Sequence, residues 1–365
     1  MPSIRVGTEN SADIELHYKD HGAGKPIVLI HGHPLDANSW ERQERVLLAE
    51  GYRCISYDRR GFGQSSQPTT GYDYDTFAAD LKALLDHLAL DQDVVLAGFS
   101  MGTGEVTRYL GTYGSAGVSK AVLIGSIPPY LLQTDDNPKG VPKDVFEGIK
   151  QAIVADRYAF FDAFLANVYN TNVSMPERLS EAALRASSQV AYGSGPYATY
   201  ACIDTWVTDF RGELPKIDIP VLAVHGTADR VVPFEVTTAR LRDERLIADL
   251  TVSRSPTAHT TSVGLTRTRS TRRCSRSSAV KPRTDAKWRQ RDTCEPTNAI
   301  SDRACPLFTS RICMTKPDEK ETGNAGTPGC HRPRRQGSRC FCARRASRCD
   351  AHPCPGRARL PLECR

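Results

Sequence analysis

A serine with a glycine two residues away on either side is the strongest chemical signal in the chain. Residues 98–102 read Gly-Phe-Ser-Met-Gly, with Ser100 between a Val-rich apolar run and a helix-compatible segment. A strand that turns sharply into a helix through this spacing exposes the serine hydroxyl beside the helix N-terminus. The glycines are expected because larger side chains would collide around the strained serine. We predict that Ser100 is a nucleophile, and an ordinary turn is the alternative.

The segments around Ser100 alternate between strand and helix patterns. Strands are predicted over residues 4–6, 14–18, 26–30, 52–57, 93–97, 119–125, 220–226 and 246–252. Helices are predicted over residues 39–51, 74–90 and 105–109, with another that ends at residue 241. This alternation indicates an α/β fold with a mostly parallel sheet and helices on both faces. Ligands bind beyond the carboxyl ends of such strands, and His33, Ser100 and Asp229 all follow predicted strands.

Helical patterns replace strand patterns in the middle of the chain. Helices are predicted over residues 145–153, 158–169, 177–188 and 197–208. We interpret residues 128–210 as a lid over the site, in which Phe146, Phe164 and Trp206 supply apolar substrate contacts. Packing within the lid itself is the alternative for each aromatic side chain. The lid would separate a core of two parts, residues 1–127 and 211–252.

The composition changes after residue 252. Residues 253–365 hold 25 of the 48 Lys and Arg residues but 9 of the 42 Asp and Glu residues, a net charge of +16. Ten of the 12 cysteines lie there as well, and residues 1–252 carry a net charge of −10. No apolar run approaches the roughly 20 residues of a membrane helix, and the N-terminus has no apolar signal-peptide core. We therefore expect a cytoplasmic protein that does not enter membranes.

Several motifs together resemble the α/β-hydrolase superfamily over about residues 1–252. They are residues 31–34 (HGHP), 57–63 (YDRRGFG), 98–102 (GFSMG) and 225–233 (HGTADRVVP), in the order of that superfamily. Residues 127–129 (IPP) and 134–142 (TDDNPKGVP) resemble its cofactor-free haloperoxidase and arylesterase branch more narrowly. The resemblance implies an inserted helical lid and a serine hydrolase mechanism.

The resemblance also assigns roles to single residues. Ser100 would attack an acyl carbonyl, and the backbone N–H groups of Met101 and His33 would hold the oxyanion. Asp229 would orient the base histidine, and a solvated turn residue is the alternative for Asp229. His33 precedes the nucleophile, whereas the superfamily order is serine, acid, histidine, so we assign it to the oxyanion loop (residues 31–34). We assign structural roles to His31 and Asp58.

The resemblance implies ester hydrolysis, and perhydrolysis in which hydrogen peroxide replaces water on the acyl-enzyme. The resulting peracid could oxidise halide without haem or metal. We expect no cofactor, and residues 1–252 contain no metal-ligand spacing. The expected partners are a small hydrophobic acyl or aryl ester, hydrogen peroxide and halide. Pro34, the last residue of the oxyanion loop, resembles the peroxide-tolerant members of the branch.

The resemblance stops near residue 253, where the branch continues with a loop that carries the base and then a closing helix. Residues from Ala258 onward, back-translated and read in a frame displaced by one base, can spell GPHNIGWTHPDEVNAALLE, a family-like ending. Our hypothesis is a frameshift near residue 253. It leaves His259 within one residue of the base position, and we take His259 as the candidate base.

The tail over residues 253–365 has other interpretations. Arginine clusters such as residues 332–335 could bind nucleic acid by charge, but stacking aromatics are nearly absent and we expect no nucleic-acid partner. Cysteines and histidines near the end suggest zinc, but no paired C-x-x-C spacing occurs. A disordered charged tail is the default expectation. If no histidine fills the base position, the alternative function is a catalytically impaired, hydrolase-like binding protein.

Overall fold

A computed structural model describes residues 2–255, and the fold is an α/β sheet with helices on both faces. The strands are β1 Ser3–Glu9, β2 Ala12–His21, β3 Pro26–Ile30, β4 Arg53–Tyr57, β5 Val94–Phe99, β6 Val118–Ile124, β7 Val221–Gly226 and β8 Leu250–Ser255. The helices are α1 Glu41–Ala49, α2 Tyr74–His87, α3 Met101–Tyr113, α4 Lys143–Tyr169, α5 Thr171–Ser174, α6 Glu181–Gly193, α7 Pro196–Thr205 and α8 Thr238–Asp243. Short 3₁₀ helices cover Ala37–Trp40, Leu214–Lys216 and Phe234–Val236.

The eight strands form one sheet in the order β1-β2-β4-β3-β5-β6-β7-β8. The pairs β1–β2 and β2–β4 are antiparallel, and all later pairs are parallel. The fold class predicted from the sequence is therefore confirmed. Because β3, β5, β7 and β8 are parallel, their carboxyl ends meet at one edge of the sheet, where the candidate site residues follow.

Two apolar cores lie on opposite faces of the sheet, because successive side chains of a strand point to opposite sides. In β3, Val28 and Ile30 enter the core that includes side chains of α2 and α3. Ile27 and Leu29 enter the other core, which includes Trp40 and side chains of α1 and α4. Burial on both faces explains why the central strands read as continuous apolar runs rather than alternating patterns.

The inserted block is helical, as the fold prediction requires. Helix α4 runs over the two helices predicted at 145–153 and 158–169, and it is interrupted at Asp156, whose backbone is non-helical (φ −158°, ψ 97°). The Asp156 carboxylate accepts hydrogen bonds from the backbone N–H groups of Tyr158 and Ala159, at 3.0 Å each. It therefore caps a new helical segment after the break.

The last predicted strand, at 246–252, lies partly in the wrong place. The backbone N–H of Leu246 donates to the Leu241 carbonyl at 3.1 Å, so residue 246 closes the turn after α8. Strand β8 begins at Leu250 and continues through Ser255, which pairs with Gly226 of β7. The sheet thus extends past residue 252, the boundary set from composition. His259, the remainder of the tail and the disorder expected for it lie outside the described residues.

No helix within residues 2–255 is long and apolar enough to cross a membrane. The cytoplasmic location expected from the sequence stays a prediction.

Candidate active site

Ser100 occupies a sharp turn between β5 and α3. Its backbone adopts φ 51° and ψ −117°, a conformation that non-glycine residues rarely take. A Cβ on Gly98 would lie 2.4 Å from the Gly102 carbonyl oxygen, and a Cβ on Gly102 would lie 2.5 Å from the Ile30 carbonyl oxygen. Both positions therefore require glycine, which is the collision that the sequence pattern predicts.

Backbone hydrogen bonds hold this turn on both sides. The Ser100 N–H donates to the Ile124 carbonyl of β6 at 2.8 Å. The Ser100 carbonyl accepts from the backbone N–H and the hydroxyl of Thr103, at 2.8 and 2.6 Å. The Thr103 hydroxyl in turn accepts from the Ile127 N–H at 3.0 Å. Strand β6, the first turn of α3 and the loop after β6 thus hold Ser100 in its strained conformation. A strained backbone persists only where the surrounding structure fixes it.

The oxyanion loop, residues 31–34, lies directly against Ser100. A Cβ on Gly32 would lie 3.0 Å from the Ser100 Cβ and 2.9 Å from the Phe99 ring. The loop and Ser100 therefore approach each other as closely as a glycine allows. The first residue of α3, Met101, follows Ser100 directly, and the first N–H groups of a helix have no partner within the helix.

The His33 side chain is enclosed by aromatic rings. Its ring centroid lies 5.2 Å from that of Trp206, 5.7 Å from Phe62 and 6.1 Å from Phe164. Neither ring nitrogen has a hydrogen-bond partner among the described residues. Burial, and to a smaller degree the charge of Arg59, lowers the pKa of His33 to about 3. The imidazole is therefore neutral at ordinary pH, and a pKa so far below that pH makes it a weak proton acceptor.

A buried ion pair connects the oxyanion loop to α3. The Arg59 Nε donates to the Glu105 carboxylate at 2.8 Å, and its Nη2 donates to the His31 carbonyl at 3.1 Å. The Tyr57 hydroxyl donates to the same carboxylate. Both charged side chains are almost completely buried. This pair ties the loop beside Ser100 to the helix that follows it, and the sequence analysis assigned no role to Glu105.

His31 and Asp58 hold loops, as assigned from the sequence. The His31 Nδ1 donates to the Gly32 carbonyl at 3.0 Å, and its Nε2 accepts from the Arg59 N–H at 3.0 Å. Burial, with a smaller contribution from the charge of Arg59, holds the pKa of His31 well below its ordinary value. The Asp58 carboxylate accepts from the backbone N–H groups of Ala37 and Gln64, at 2.8 Å each.

Asp229 follows β7, and only one of its two carboxylate oxygens is hydrogen-bonded within the described residues. Oδ1 accepts from the backbone N–H groups of Val231 and Val232, at 2.9 and 2.8 Å. Oδ2 has no hydrogen-bond partner among the described residues, although the Asp229 side chain is fully buried. The His225 Nε2 lies 3.4 Å from Oδ2 but donates to the Val232 carbonyl at 3.0 Å. Asp229 therefore presents one desolvated acceptor, which is unlike a solvated turn residue.

The described chain ends beside this acid. The Thr227 N–H donates to the Ser255 carbonyl at 3.1 Å, so the end of β8 lies next to the acid loop, residues 227–233. His259 follows four residues later in the sequence.

Ser100 opens into an apolar pocket of about 250 Å³. The lining side chains from α4 are Val145, Phe146, Ile149, Phe160, Ala163, Phe164 and Asn167. Trp206 lines it as well, together with Arg230, Val231 and Val232 of the acid loop. The three aromatics predicted as substrate contacts therefore all line the pocket that contains Ser100, while Phe146 and Trp206 are also buried in the core.

Besides Glu105, the polar residues His225 and Arg230 of the site were not assigned from the sequence. His225 is buried beside Asp229, and its Nδ1 lies 2.7 Å from the Thr238 hydroxyl. Arg230 is the charged residue of the pocket lining and follows Asp229 directly. Both lie in the motif at 225–233, and residues that follow a parallel strand directly reach the edge of the sheet where ligands bind. Their place in that motif is the sequence signal that could have identified them.

Comparisons with known proteins agree with this geometry. The family model described as alpha/beta hydrolase fold matches residues 25–259, and the chain belongs to that family. A putative non-heme chloroperoxidase from Synechocystis is 59% identical over 241 residues, which cover 66% of this chain and 87% of that protein. A bifunctional esterase/perhydrolase from Acinetobacter calcoaceticus is 36% identical over 227 residues, 61% of this chain and 82% of that protein.

Among solved structures, a bromoperoxidase from Bacillus anthracis superposes with a TM-score of 0.68 at 42% identity, covering 71% of this chain and 92% of that one. Within the family, the chain falls in the cofactor-free haloperoxidase branch, and it is an enzyme of the esterase and non-heme haloperoxidase type. The resemblance stated from the motifs is therefore confirmed.

Proposed function

We propose that this protein is a serine hydrolase that cleaves small carboxylic esters through an acyl-enzyme on Ser100. The observation that carries the proposal is the strained Ser100 at the edge of an apolar pocket, with the oxyanion loop against it. Strain of this kind persists only where surrounding structure fixes it, and it clusters at functional sites. The apolar lining supports small hydrophobic acyl or aryl groups as the substrate class.

In the proposed mechanism, the Ser100 hydroxyl oxygen attacks the ester carbonyl while its proton passes to the base. The N–H groups of His33 and Met101 donate to the oxyanion, and each such donor contributes on the order of 3 kcal/mol to transition-state stabilisation. The tetrahedral intermediate collapses, the carbon–oxygen bond to the alcohol breaks, and the base returns its proton to the leaving alkoxide. The acyl group stays on Ser100.

Water then attacks the acyl-enzyme and releases the carboxylic acid. In perhydrolysis, hydrogen peroxide takes the place of water and gives one proton to the base as its oxygen attacks the acyl carbon. The bond from that carbon to the Ser100 oxygen breaks, the peracid is released, and the base returns the proton to Ser100. The peracid can transfer an oxygen atom to a halide and return to the carboxylic acid. The named esterase/perhydrolase relative supports this second reaction.

We propose His259 as the base and Asp229 as the acid that orients it. The four residues from Ser255 to His259 span at most about 14 Å when extended, and Ser255 is hydrogen-bonded to the acid loop. The buried, unpartnered Oδ2 of Asp229 needs a donor, which an imidazole N–H would supply. The match to the family model includes His259 as its last residue.

The first test is turnover of 4-nitrophenyl butyrate by the full chain beside the Ser100→Ala variant. The proposal expects 4-nitrophenol release that the variant lacks, and peracid formation when hydrogen peroxide and butyrate are supplied. Equal rates for the two proteins would overturn the nucleophile assignment. Circular dichroism of both proteins controls for folding.

A second candidate is a hydrolase-like binding protein without turnover. The observation in its favour is that the buried Oδ2 of Asp229 has no hydrogen-bond partner, so no base histidine is hydrogen-bonded to this acid within residues 2–255. The probe is 1-phenylpentan-2-one, a ketone with a methylene in place of the ester oxygen of phenyl butyrate. Binding of this ketone by a chain that does not cleave phenyl butyrate supports the binding protein, whereas Ser100-dependent cleavage contradicts it.

The division into two core parts, a lid and a tail remains our proposal, as does the frameshift near residue 253. DNA sequencing across that point tests the frameshift directly. A single-base change that restores the displaced reading supports it, and the absence of any such change contradicts it.

A further inference from the structure

The pocket beside Ser100 is lined mostly by apolar side chains. Arg230 is the charged residue of its lining, and no Asp or Glu belongs to the lining. Asn167, from the last turns of α4, is the lining residue with an amide side chain. The pocket therefore combines an apolar wall with a local positive charge, a combination that is not needed to bind a neutral aliphatic ester.

The Arg230 guanidinium is fixed by a hydrogen bond to a neutral side chain, and no carboxylate within residues 2–255 balances its charge. Its Nη1 donates to the Asn172 side-chain oxygen of α5 at 2.9 Å. Within residues 2–255 it forms no ion pair, whereas Arg211 pairs with Asp136 and Arg240 pairs with Glu244. An anchored guanidinium with unused N–H donors is suited to a planar carboxylate.

We propose that Arg230 selects esters whose apolar chain carries a carboxylate at its far end. The inference rests on the proposed ester hydrolysis at Ser100. The apolar wall from α4 and Trp206 would hold the methylene chain, and the guanidinium would receive the terminal carboxylate. The substrate class is the half-ester of an aliphatic dicarboxylic acid, or an ester of similar shape and charge.

The kinetic test compares mono-4-nitrophenyl adipate with 4-nitrophenyl hexanoate, which differ in a carboxylate in place of the terminal methyl. Arg230→Gln is expected to lower kcat/KM for the adipate ester about tenfold, the loss typical of a hydrogen bond to a charged group. Turnover of the hexanoate ester is expected to change less than about twofold, since an apolar chain gains nothing from the charge. Arg230→Lys should restore part of the preference, because the charge remains without the planar fork.

The matched control is Arg185→Gln, which removes the same charge from the exposed face of α6, away from the pocket lining. It should leave the preference between the two esters unchanged. Increasing salt should reduce the preference of the unmodified protein, since Arg230 is exposed. Equal losses on both esters in Arg230→Gln would overturn the proposal, because they would indicate a structural role through Asn172.

A binding measurement separates this proposal from the catalytic one. Calorimetry with monomethyl adipate and methyl hexanoate is done on Ser100→Ala and on Ser100→Ala with Arg230→Gln. Tighter binding of monomethyl adipate that is lost with Arg230 supports the proposal even if the full chain shows no turnover. Equal affinity of both proteins for monomethyl adipate overturns it, whether or not Ser100 proves to be the nucleophile.

Discussion

Within residues 2–255, the surroundings of Ser100 satisfy its backbone hydrogen bonds, whereas one carboxylate oxygen of Asp229 has no hydrogen-bond partner. Around Ser100, the backbone N–H and carbonyl are both hydrogen-bonded, and glycines fill the positions where a side chain would collide. At Asp229, Oδ1 accepts from Val231 and Val232 while the buried Oδ2 has no partner. A buried acceptor left without a donor costs about 1–3 kcal/mol.

The difference shows that the turn at Ser100 is determined by nearby residues and strands, whereas the acid depends on a hydrogen-bond donor from elsewhere in the chain. The elbow around Ser100 needs the neighbouring strands and the glycines at 98 and 102. The acid needs a donor from another part of the chain. Our proposal for that donor is His259, because it follows four residues after Ser255, whose carbonyl accepts a hydrogen bond from the Thr227 N–H of the acid loop.

The largest expected effect comes from removing the donor. His259→Ala should lower kcat for 4-nitrophenyl butyrate by about 10⁶-fold, the loss typical of removing the base histidine of a catalytic triad. His87→Ala, a change at an exposed histidine of α2, is the control and should leave kcat unchanged. Unaltered turnover in His259→Ala would remove that residue from the acid side.

The Asp229→Asn variant tests whether the acid and its proposed partner His259 act together. The amide should lower kcat by about 10⁴-fold, because it cannot stabilise the charged imidazole or hold its tautomer. Residues that act as a unit show non-additive losses, so the double variant should be little slower than the His259→Ala variant alone. Additive losses would mean that Asp229 and His259 act independently.

The serine side should respond to packing. Gly98→Ala places a Cβ 2.4 Å from the Gly102 carbonyl oxygen and should lower the free energy of unfolding by about 2–4 kcal/mol. Gly148→Ala in α4 is the matched control, since a Cβ there meets nothing within 4 Å. It should stabilise the helix by about 0.5–1 kcal/mol. Urea unfolding followed by circular dichroism measures both, and equal stability of the two variants would contradict the clash.

The smallest effect concerns pH and the oxyanion loop. Because the pKa of His33 is lowered to about 3 in the folded protein, the unfolded state binds a proton at higher pH than the folded state does. The stability of the protein should therefore fall as pH decreases below the ordinary histidine value of about 6.5, by roughly 1.4 kcal/mol per pH unit from this group.

The measurement is urea unfolding at pH 7 and pH 5 for the unmodified protein and His33→Phe. The unmodified protein should lose about 2 kcal/mol more than the variant over this interval, since phenylalanine does not titrate. Identical losses would show that His33 is not held neutral in the folded state.

The fold was largely predictable because its elements carry strong local signals. The continuous apolar runs of β3 and β5, and the glycines around Ser100, led to the correct sheet and the correct elbow. The interruption of α4 at Asp156 also falls between the two helices predicted there.

The start and end of β8 were less predictable. Leu246 carries an apolar side chain that fits either a helix end or a strand, and only its hydrogen bond to Leu241 separates them. The roles of Glu105 and Arg230 were missed for a similar reason. Burial against Arg59 in one case, and a place in the pocket lining in the other, depend on contacts between residues distant in sequence.

The most direct test of the central claim is to locate the acyl group. The full chain is mixed with 4-nitrophenyl acetate, quenched in acid at successive times, digested and analysed by peptide mass spectrometry. The account predicts an acetyl group on the peptide that contains Ser100, formed together with the first 4-nitrophenol released and absent from Ser100→Ala. Turnover without an acetyl group on Ser100 at any time, or acetylation at another residue that tracks turnover, would contradict it.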